Sequence, residues 1–337
     1  MANLKTTYMG IPLKNPLIVG ASHLTANLDQ IKILEEAGAA AIVTKSLFEE
    51  QIQLERFKMD DERETYYYRH PEMITVGSQQ EHAGPKEHLY WVERTKKEIQ
   101  IPVIASLNAV EKETWIDYAR QLAATGIDGL ELNFYASPKA FEHSALDIEK
   151  EQIDIVRSVL NVVDVPVSLK LSPFYTNPLN FIQLMDEAGV QAFVLFNRLF
   201  QPEIDIHQQK HVFPFYLSHP KDHRLPLRFA GLLYDSIQAD ICSSTGIYQG
   251  EDAIRMMLAG ATCFQVVSAL IKQQTDPIGN ILKTLTTWMD ENNYADLDAY
   301  RGMLSKAKMK DPWTYTRAQY INWIMHPDKL LRRNKIP

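Results

Sequence analysis

Eight short apolar runs recur along the chain, each followed by a segment with helical periodicity, and this alternation limits the fold more than any other feature. The runs are 15–21 (NPLIVGA), 40–45 (AAIVTK), 102–107 (PVIASL), 129–133 (GLELN), 166–171 (PVSLKL), 192–197 (AFVLFN), 239–243 (ADICS) and 262–267 (TCFQVV). Helices are predicted over 28–37, 86–99, 112–125, 146–160, 179–188, 227–237, 251–259 and 277–292, the first and fifth stopped by Gly38 and Gly189. Strands that are apolar throughout are buried on both faces, which goes with parallel pairing and helical crossovers. Eight such units close a (β/α)₈ barrel, a TIM barrel, expected here as a single α/β domain over 1–337. An open doubly wound sheet would need a glycine fingerprint after an early strand, and GASHLTAN at 20–27 lacks it.

Two excursions break the rhythm, at 47–85 and 198–226. Both follow strands (the second and the sixth), so a barrel places them over its C-terminal face, where chemistry occurs in this architecture. Within the second, HVFPFYLSHP is expected to form a short strand pair. The tail from 309 to 337, rich in aromatics and ending in KLLRRNK, is expected to pack on the barrel or on a neighbouring subunit.

Composition removes several function classes. With 337 residues and a net charge of -7, no global positive field attracts nucleic acid. No run reaches the ~18 apolar residues of a membrane span, and Met1 to Gly10 has no apolar signal core, so a cytoplasmic location is expected. Cys242 and Cys263 stand outside any CxxC or Cys/His pattern and are expected as buried thiols. His207, His211, His219 and His223 crowd one loop, but no strand-end carboxylate or histidine accompanies them, which disfavours zinc.

Polar residues gather where the strands end: Ser22, Thr44, Lys45, Ser46, Ser106, Asn108, Asn133, Lys170, Asn197, Ser243, Ser244 and Thr245. In a barrel these positions converge on one mouth. A lysine at the end of a buried strand is rarely a solvated surface charge. Lys45 and Lys170 therefore pair with a carboxylate such as Glu131, bind an anion or developing negative charge, or form a Schiff base; an electron-rich planar ligand suits the second reading best. SSTGIYQG at 243–250 is expected to open the seventh helix with backbone amides free for an anion. Val267, Ser268 and Ala269 supply the matching turn after strand eight, and these two loops are the usual phosphate site of the architecture.

The motifs NPLIVGAS, TKS at 44–46, ELN at 131–133, VSLKLSP at 167–173, FN at 196–197, STGIYQGEDAIRMMLAGATCFQVVSAL at 244–270 and WMDENNYADLDAYRGML at 288–304 occur in an order that resembles the dihydroorotate dehydrogenase family, specifically its soluble class 1 branch. The resemblance implies FMN at the strand C-termini. Ala21 and Ser22 would lie along the flavin, Lys45 and Ser46 would touch flavin and substrate, and Asn133 and Asn197 would reach flavin or pyrimidine. Lys170 would stabilise the reduced flavin at its N1/O2 edge, and the Ser244–Thr245–Gly246 turn and Ser268 would hold the phosphate. In the family's reaction a base removes the C5 proton of dihydroorotate and a hydride passes from C6 to flavin N5. A homodimer is the family's usual state, and without an iron–sulfur cysteine pattern or a membrane-binding helix a soluble acceptor such as fumarate is expected.

The chain departs from the family on the substrate side. The family's ELNxSCPN reads ELNFYASPKA here, which places Ala136 or, aligned on Pro138, Ser137 at the position of the base. The second substrate asparagine of that segment is missing, and TVGSQQEHAG at 75–84 replaces the family's substrate loop NSMGLPN. Arg198 stands where a serine follows the strand-six asparagine; it could bind a substrate carboxylate or pair with Glu203. STGI reduces a double glycine, and His23 replaces a glycine after Ala-Ser. The expectation is an FMN-dependent oxidoreductase on dihydroorotate. The alternatives are a related cyclic or unsaturated substrate, a Schiff-base lyase, or a flavin-binding barrel without turnover.

Overall fold

The structure, a computed structural model, describes residues 2–53, 85–134, 141–198, 202–212, 217–310 and 315. Eight strands run parallel: β1 (Leu17–Val19), β2 (Ala41–Val43), β3 (Val103–Asn108), β4 (Gly129–Phe134), β5 (Val167–Leu171), β6 (Ala192–Leu195), β7 (Asp240–Ser244) and β8 (Cys263–Val266). Each pairs with the next, and the circle closes where Phe264 of β8 faces Leu17 of β1. A two-residue strand, Leu47–Phe48, extends the sheet beside the end of β3. The helices α1 (Leu28–Glu36), α2 (Pro85–Glu98), α3 (Lys112–Ala123), α4 (Ala145–Leu160), α5 (Pro178–Glu187), α6 (Arg224–Leu233), α7 (Gly250–Ala259), α8 (Ser268–Gln273) and α9 (Asp276–Glu291) complete the α/β alternation. The chain is the expected (β/α)₈ TIM barrel.

Local sequence sets the helix ends. Asn27 and Ser144 cap α1 and α4 with side-chain oxygens that accept from the Asp29 and Asp147 amides. Pro178 at the first turn of α5 follows the cap Asn177. The start of α3 is served from a distance: the buried Glu49 carboxylate accepts from the Val110 and Glu111 amides. That bond ties the chain leaving Leu47–Phe48 to the start of the third helix.

Side chains alternate across each strand, so every second residue enters the barrel. At its N-terminal end the interior is apolar: Ile18, Val43, Ile104, Ala192, Val194, Cys242 and Cys263 pack together. A hairpin pairing Thr6–Tyr8 with Ile11–Leu13, outside the eight apolar runs, plugs this end. Its turn residues Met9 and Gly10 both have positive φ (53° and 76°), the conformation a two-residue hairpin turn demands. Tyr8 and Met9 are buried against the apolar floor, and the Met9 amide donates to Asp240 Oδ2 at 2.8 Å. The two cysteines are register partners on β7 and β8, both fully buried and free, and burial drives both thiols upward in pKa.

Of the segment HVFPFYLSHP, expected to form a strand pair, 213–216 lie outside the described residues. Lys210–Val212 pairs with Glu203–Asp205 in the excursion after β6, so His211 and Val212 are in a strand whose partner precedes the segment. The turn between them uses Gln209 at φ 50°. Tyr315, the single described residue beyond 310, packs against α6: its hydroxyl donates to the Leu304 carbonyl at 2.5 Å, and Arg228 donates to its carbonyl at 2.9 Å.

Candidate active site

Moving up the barrel, the inward positions turn polar. In β4 the sequence GLELNF sends Glu131 and Asn133 inward, and in β5 VSLKL sends Lys170 inward, level with Asn133. In β8 the inward residue is Gln265. Lys170 Nζ donates to Gln265 Oε1 at 3.0 Å, Gln265 Nε2 donates to Glu131 Oε2 at 2.5 Å, and Lys170 Nζ lies 3.7 Å from Glu131 Oε1. Lysine 170 therefore satisfies two of its expectations at once, an ion pair with Glu131 and a place on a cavity.

One turn higher, Asn133 Nδ2 donates to Ser106 Oγ at 2.7 Å and to Ser46 Oγ at 3.1 Å, while the two hydroxyls share a hydrogen at 2.7 Å. Thr44 Oγ1 accepts from the Ser106 amide at 3.2 Å, fixing the ends of β2 and β3. With both Nδ2 hydrogens engaged, the Asn133 amide is held with its oxygen as the remaining acceptor.

A cavity of about 660 Å³ opens above these residues at the C-terminal face. Its lining includes Ala21, Ser22, Lys45, Ser46, Asn133, Lys170, Asn197, Arg198, Ser244, Thr245, Gly246 and Ser268. Thus every described residue that the resemblance assigned to flavin or substrate borders one cavity, whereas the strand-end residues Thr44, Ser106 and Ser243 do not. Ser137 belongs to 135–140 and lies outside the described residues, as does the 75–84 segment. Ser106 sits beneath the cavity as a support. Ser243 faces away: its hydroxyl is buried without a hydrogen-bond partner. Ser22 also caps a local 3-10 turn, accepting from the Leu24 amide at 3.3 Å. Gly20 brings β1 against β8 here, since a Cβ would stand 2.8 Å from Val267 Cγ2 and 3.0 Å from Gln265 Oε1.

The turn after β7 differs from expectation in two respects: it stands apart from the helix, and the Gly246, Tyr248 and Gln249 amides, expected to be free for an anion, donate to Ser218 Oγ and Asp252 Oδ2. Helix α7 begins at Gly250, capped by Gln249 and Asp252, so Thr245 and Gly246 form a separate turn ahead of it. Both have positive φ, 81° and 79°. A β-branched residue rarely adopts that region, and Thr245 is held there by its hydroxyl donating to the Phe196 carbonyl at 3.0 Å. Gly246 admits no Cβ, which would strike the backbone of Asp222 and His223. Its amide donates to Ser218 Oγ at 3.3 Å, and the Ser218 amide donates to Ser268 Oγ at 3.1 Å. Ser218 thus joins the seventh and eighth loops, a role no local sequence signal carried.

Arg198 pairs with Asp222, not with the expected Glu203: NH1 lies 2.6 Å from Oδ2. The segment between β6 and α6 delivers Asp222 there because the same carboxylate oxygen accepts from the His219 amide at 2.9 Å. Among the described residues no group of three or more His, Cys, Asp or Glu side chains could hold a metal ion, and no helix is long and apolar enough to cross a membrane.

A family model described as dihydroorotate dehydrogenase matches residues 3–289. The chain belongs to the dihydroorotate dehydrogenase family. Curated relatives agree. A Thermoplasma acidophilum protein named dihydroorotate dehydrogenase B (NAD(+)), catalytic subunit, is 27% identical over 315 residues, spanning 90% of this chain and 99% of the relative. A Thermoplasma volcanium protein of the same name is 28% identical, spanning 91% and 100%. An Aeropyrum pernix protein whose name assigns it provisionally as dihydroorotate dehydrogenase A (fumarate) is 26% identical over 66% of this chain and 74% of its own length. As a dihydroorotate dehydrogenase family member the chain is an oxidoreductase of the kind that acts on CH–CH groups, and the family is one of flavoproteins. The family match covers all eight barrel strands and every described candidate residue.

Proposed function

We propose that this chain binds FMN in the cavity and oxidises dihydroorotate to orotate in pyrimidine biosynthesis. The observation that carries the reading is the joining, in one enclosure, of Lys45, Asn133, Lys170 and Asn197 with the Thr245–Gly246 turn and Ser268. The volume lies within the 300–1,000 Å³ usual for ligand sites.

The residues suit the cofactor. Small side chains at Ser244 and Ser268 leave room for a phosphate between the last two loops, where this architecture holds one. Ala21 and Ser22 supply a low wall for a planar ring, with Lys170 at the floor. When bound, FMN supplies the redox chemistry, accepting the electrons that leave the substrate carbon.

The protein's part is binding, orientation and charge. Asn133 offers its amide oxygen to a ring N–H, fixed in that direction by Ser46 and Ser106. Lys45, which among the described residues forms no ion pair, is available to an anionic oxygen. Ser137 is the base that takes the C5 proton in this reading. Lys170 presents a hydrogen-bonded ammonium, which suits stabilisation of negative charge and not the free amine a Schiff base requires.

Arg198 gives a second reading some support. A guanidinium on the cavity where the family has a serine favours a carboxylate-bearing ligand held differently from dihydroorotate. We assign a homodimer and a soluble electron acceptor, fumarate first, as parts of the same proposal. The test is extraction of the purified protein: one FMN per chain is expected, and a colourless protein that takes up no FMN would contradict the reading.

A further inference from the structure

The Glu131–Gln265–Lys170 relay assigns a role to a carboxylate that would touch neither substrate nor cofactor. Glu131 is 1% exposed, and its Oε1 has no hydrogen-bond partner. A buried carboxylate oxygen left without a donor is costly, because burial removes the water that would otherwise solvate it. Its compensation is the Lys170 ammonium 3.7 Å away, within ion-pair reach but beyond hydrogen-bond distance. Gln265 bridges the two, donating to one and accepting from the other. The three residues come from β4, β5 and β8, so the relay crosses the barrel interior and is as rigid as the barrel. Lys170 and Gln265 both reach the cavity, while Glu131 lies one inward position below it.

The geometry points to Glu131 as a positioning residue that sets how much positive charge the cavity floor presents, and so sets the balance between oxidised and reduced flavin. The inference rests on the FMN reading above. With Glu131 ionised, the floor carries a nearly neutral pair, and Lys170 is held down by Gln265 in place of rising toward the ligand. Without that negative charge the same lysine would stabilise an anionic ring more strongly. Charges separated by a few ångströms in a protein interior interact by more than a tenfold change in an equilibrium constant.

Sulfite reports this balance without turnover. Its sulfur lone pair adds to N5 of oxidised flavin, the electron pair moves to the N1–C2=O region, and the yellow absorbance is lost. Sulfite titration of the FMN-loaded protein is compared with that of Glu131→Gln, Glu131→Asp and Gln265→Lys. Glu131→Gln keeps the shape and removes the charge, so sulfite should bind about tenfold tighter or more. Glu131→Asp retains the charge and should remain near the native value. Gln265→Lys places a second cation beside Glu131 and should tighten sulfite about tenfold or more, which tests the relay even if Glu131→Gln does not fold. Folded, FMN-loaded Glu131→Gln or Gln265→Lys with native sulfite affinity would overturn the inference and leave the FMN reading standing. A native protein that holds no FMN would remove both.

Discussion

Arg198 and Asp222 form an ion pair at 2.6 Å that joins the end of β6 to the segment covering the seventh loop. Both side chains are about one-third exposed (39% and 33%), so the pair contributes at most ~1 kcal/mol to stability. Arg198 nonetheless borders the cavity with a single carboxylate partner, leaving guanidinium donors for a ligand. Arg198→Ala should weaken orotate binding about tenfold or more while moving the melting temperature little, as read by flavin difference spectra and thermal scans. Unchanged orotate affinity would confine Arg198 to anchoring the segment.

Gly246 tests the turn between β7 and α7. Its φ of 79° and the backbone of Asp222, 2.9 Å from where a Cβ would stand, both oppose a side chain. Gly246→Ala should lower stability by ~2 kcal/mol or more and release FMN on dialysis. Thr245→Gly should be nearly neutral, since strain relief of about 1 kcal/mol offsets loss of the hydroxyl bond to Phe196. A stable, flavin-retaining Gly246→Ala protein would refute the assignment of this turn.

Ser137 is proposed as the base in place of the family's cysteine. Ser137→Ala should lower the rate of flavin reduction by dihydroorotate on the order of 100-fold or more, with FMN content unchanged. Stopped-flow absorbance measures this directly. A native rate in the variant would remove Ser137 from the reaction. Neither cysteine can substitute, because Cys242 and Cys263 lie in the apolar N-terminal end of the barrel.

Asp240 gives the fold a pH dependence. Burial raises its carboxyl above the usual carboxylate range, opposed by hydrogen bonds from the Met9 amide and the Thr262 hydroxyl. The folded state then holds this proton more tightly than the unfolded chain. Its contribution to stability is present below the ordinary carboxylate value and declines as pH rises through the raised one. Asp240→Asn should lose that slope, so the native and variant melting temperatures should diverge in their pH dependence across the carboxylate range. Parallel curves would contradict the shift.

Much of this arrangement was legible in the chain. Eight apolar runs separated by capped helices required the barrel, and a barrel required that Lys45, Asn133, Lys170 and Asn197 meet. Glu131 was also foreseen as a partner for a strand-end lysine. Gln265 was not, because within TCFQVV it reads as one polar interruption of a buried strand. Its meaning appears only when closure brings β8 across from β4. Ser218 was hidden for the same reason: the residues it links, Gly246 and Ser268, are far from it in sequence. The N-terminal hairpin is hard to read from sequence because strands of three residues leave almost no periodic signal, although Met9-Gly10 between TTY and IPL marks its turn.

The central claim is that this enclosure holds FMN and passes electrons to it from dihydroorotate. The most direct measurement is the visible spectrum of the purified protein, recorded anaerobically before and after dihydroorotate is added. A yellow protein bleached by dihydroorotate and recoloured by an acceptor such as fumarate is the predicted result. A yellow protein that stays oxidised would contradict the substrate assignment.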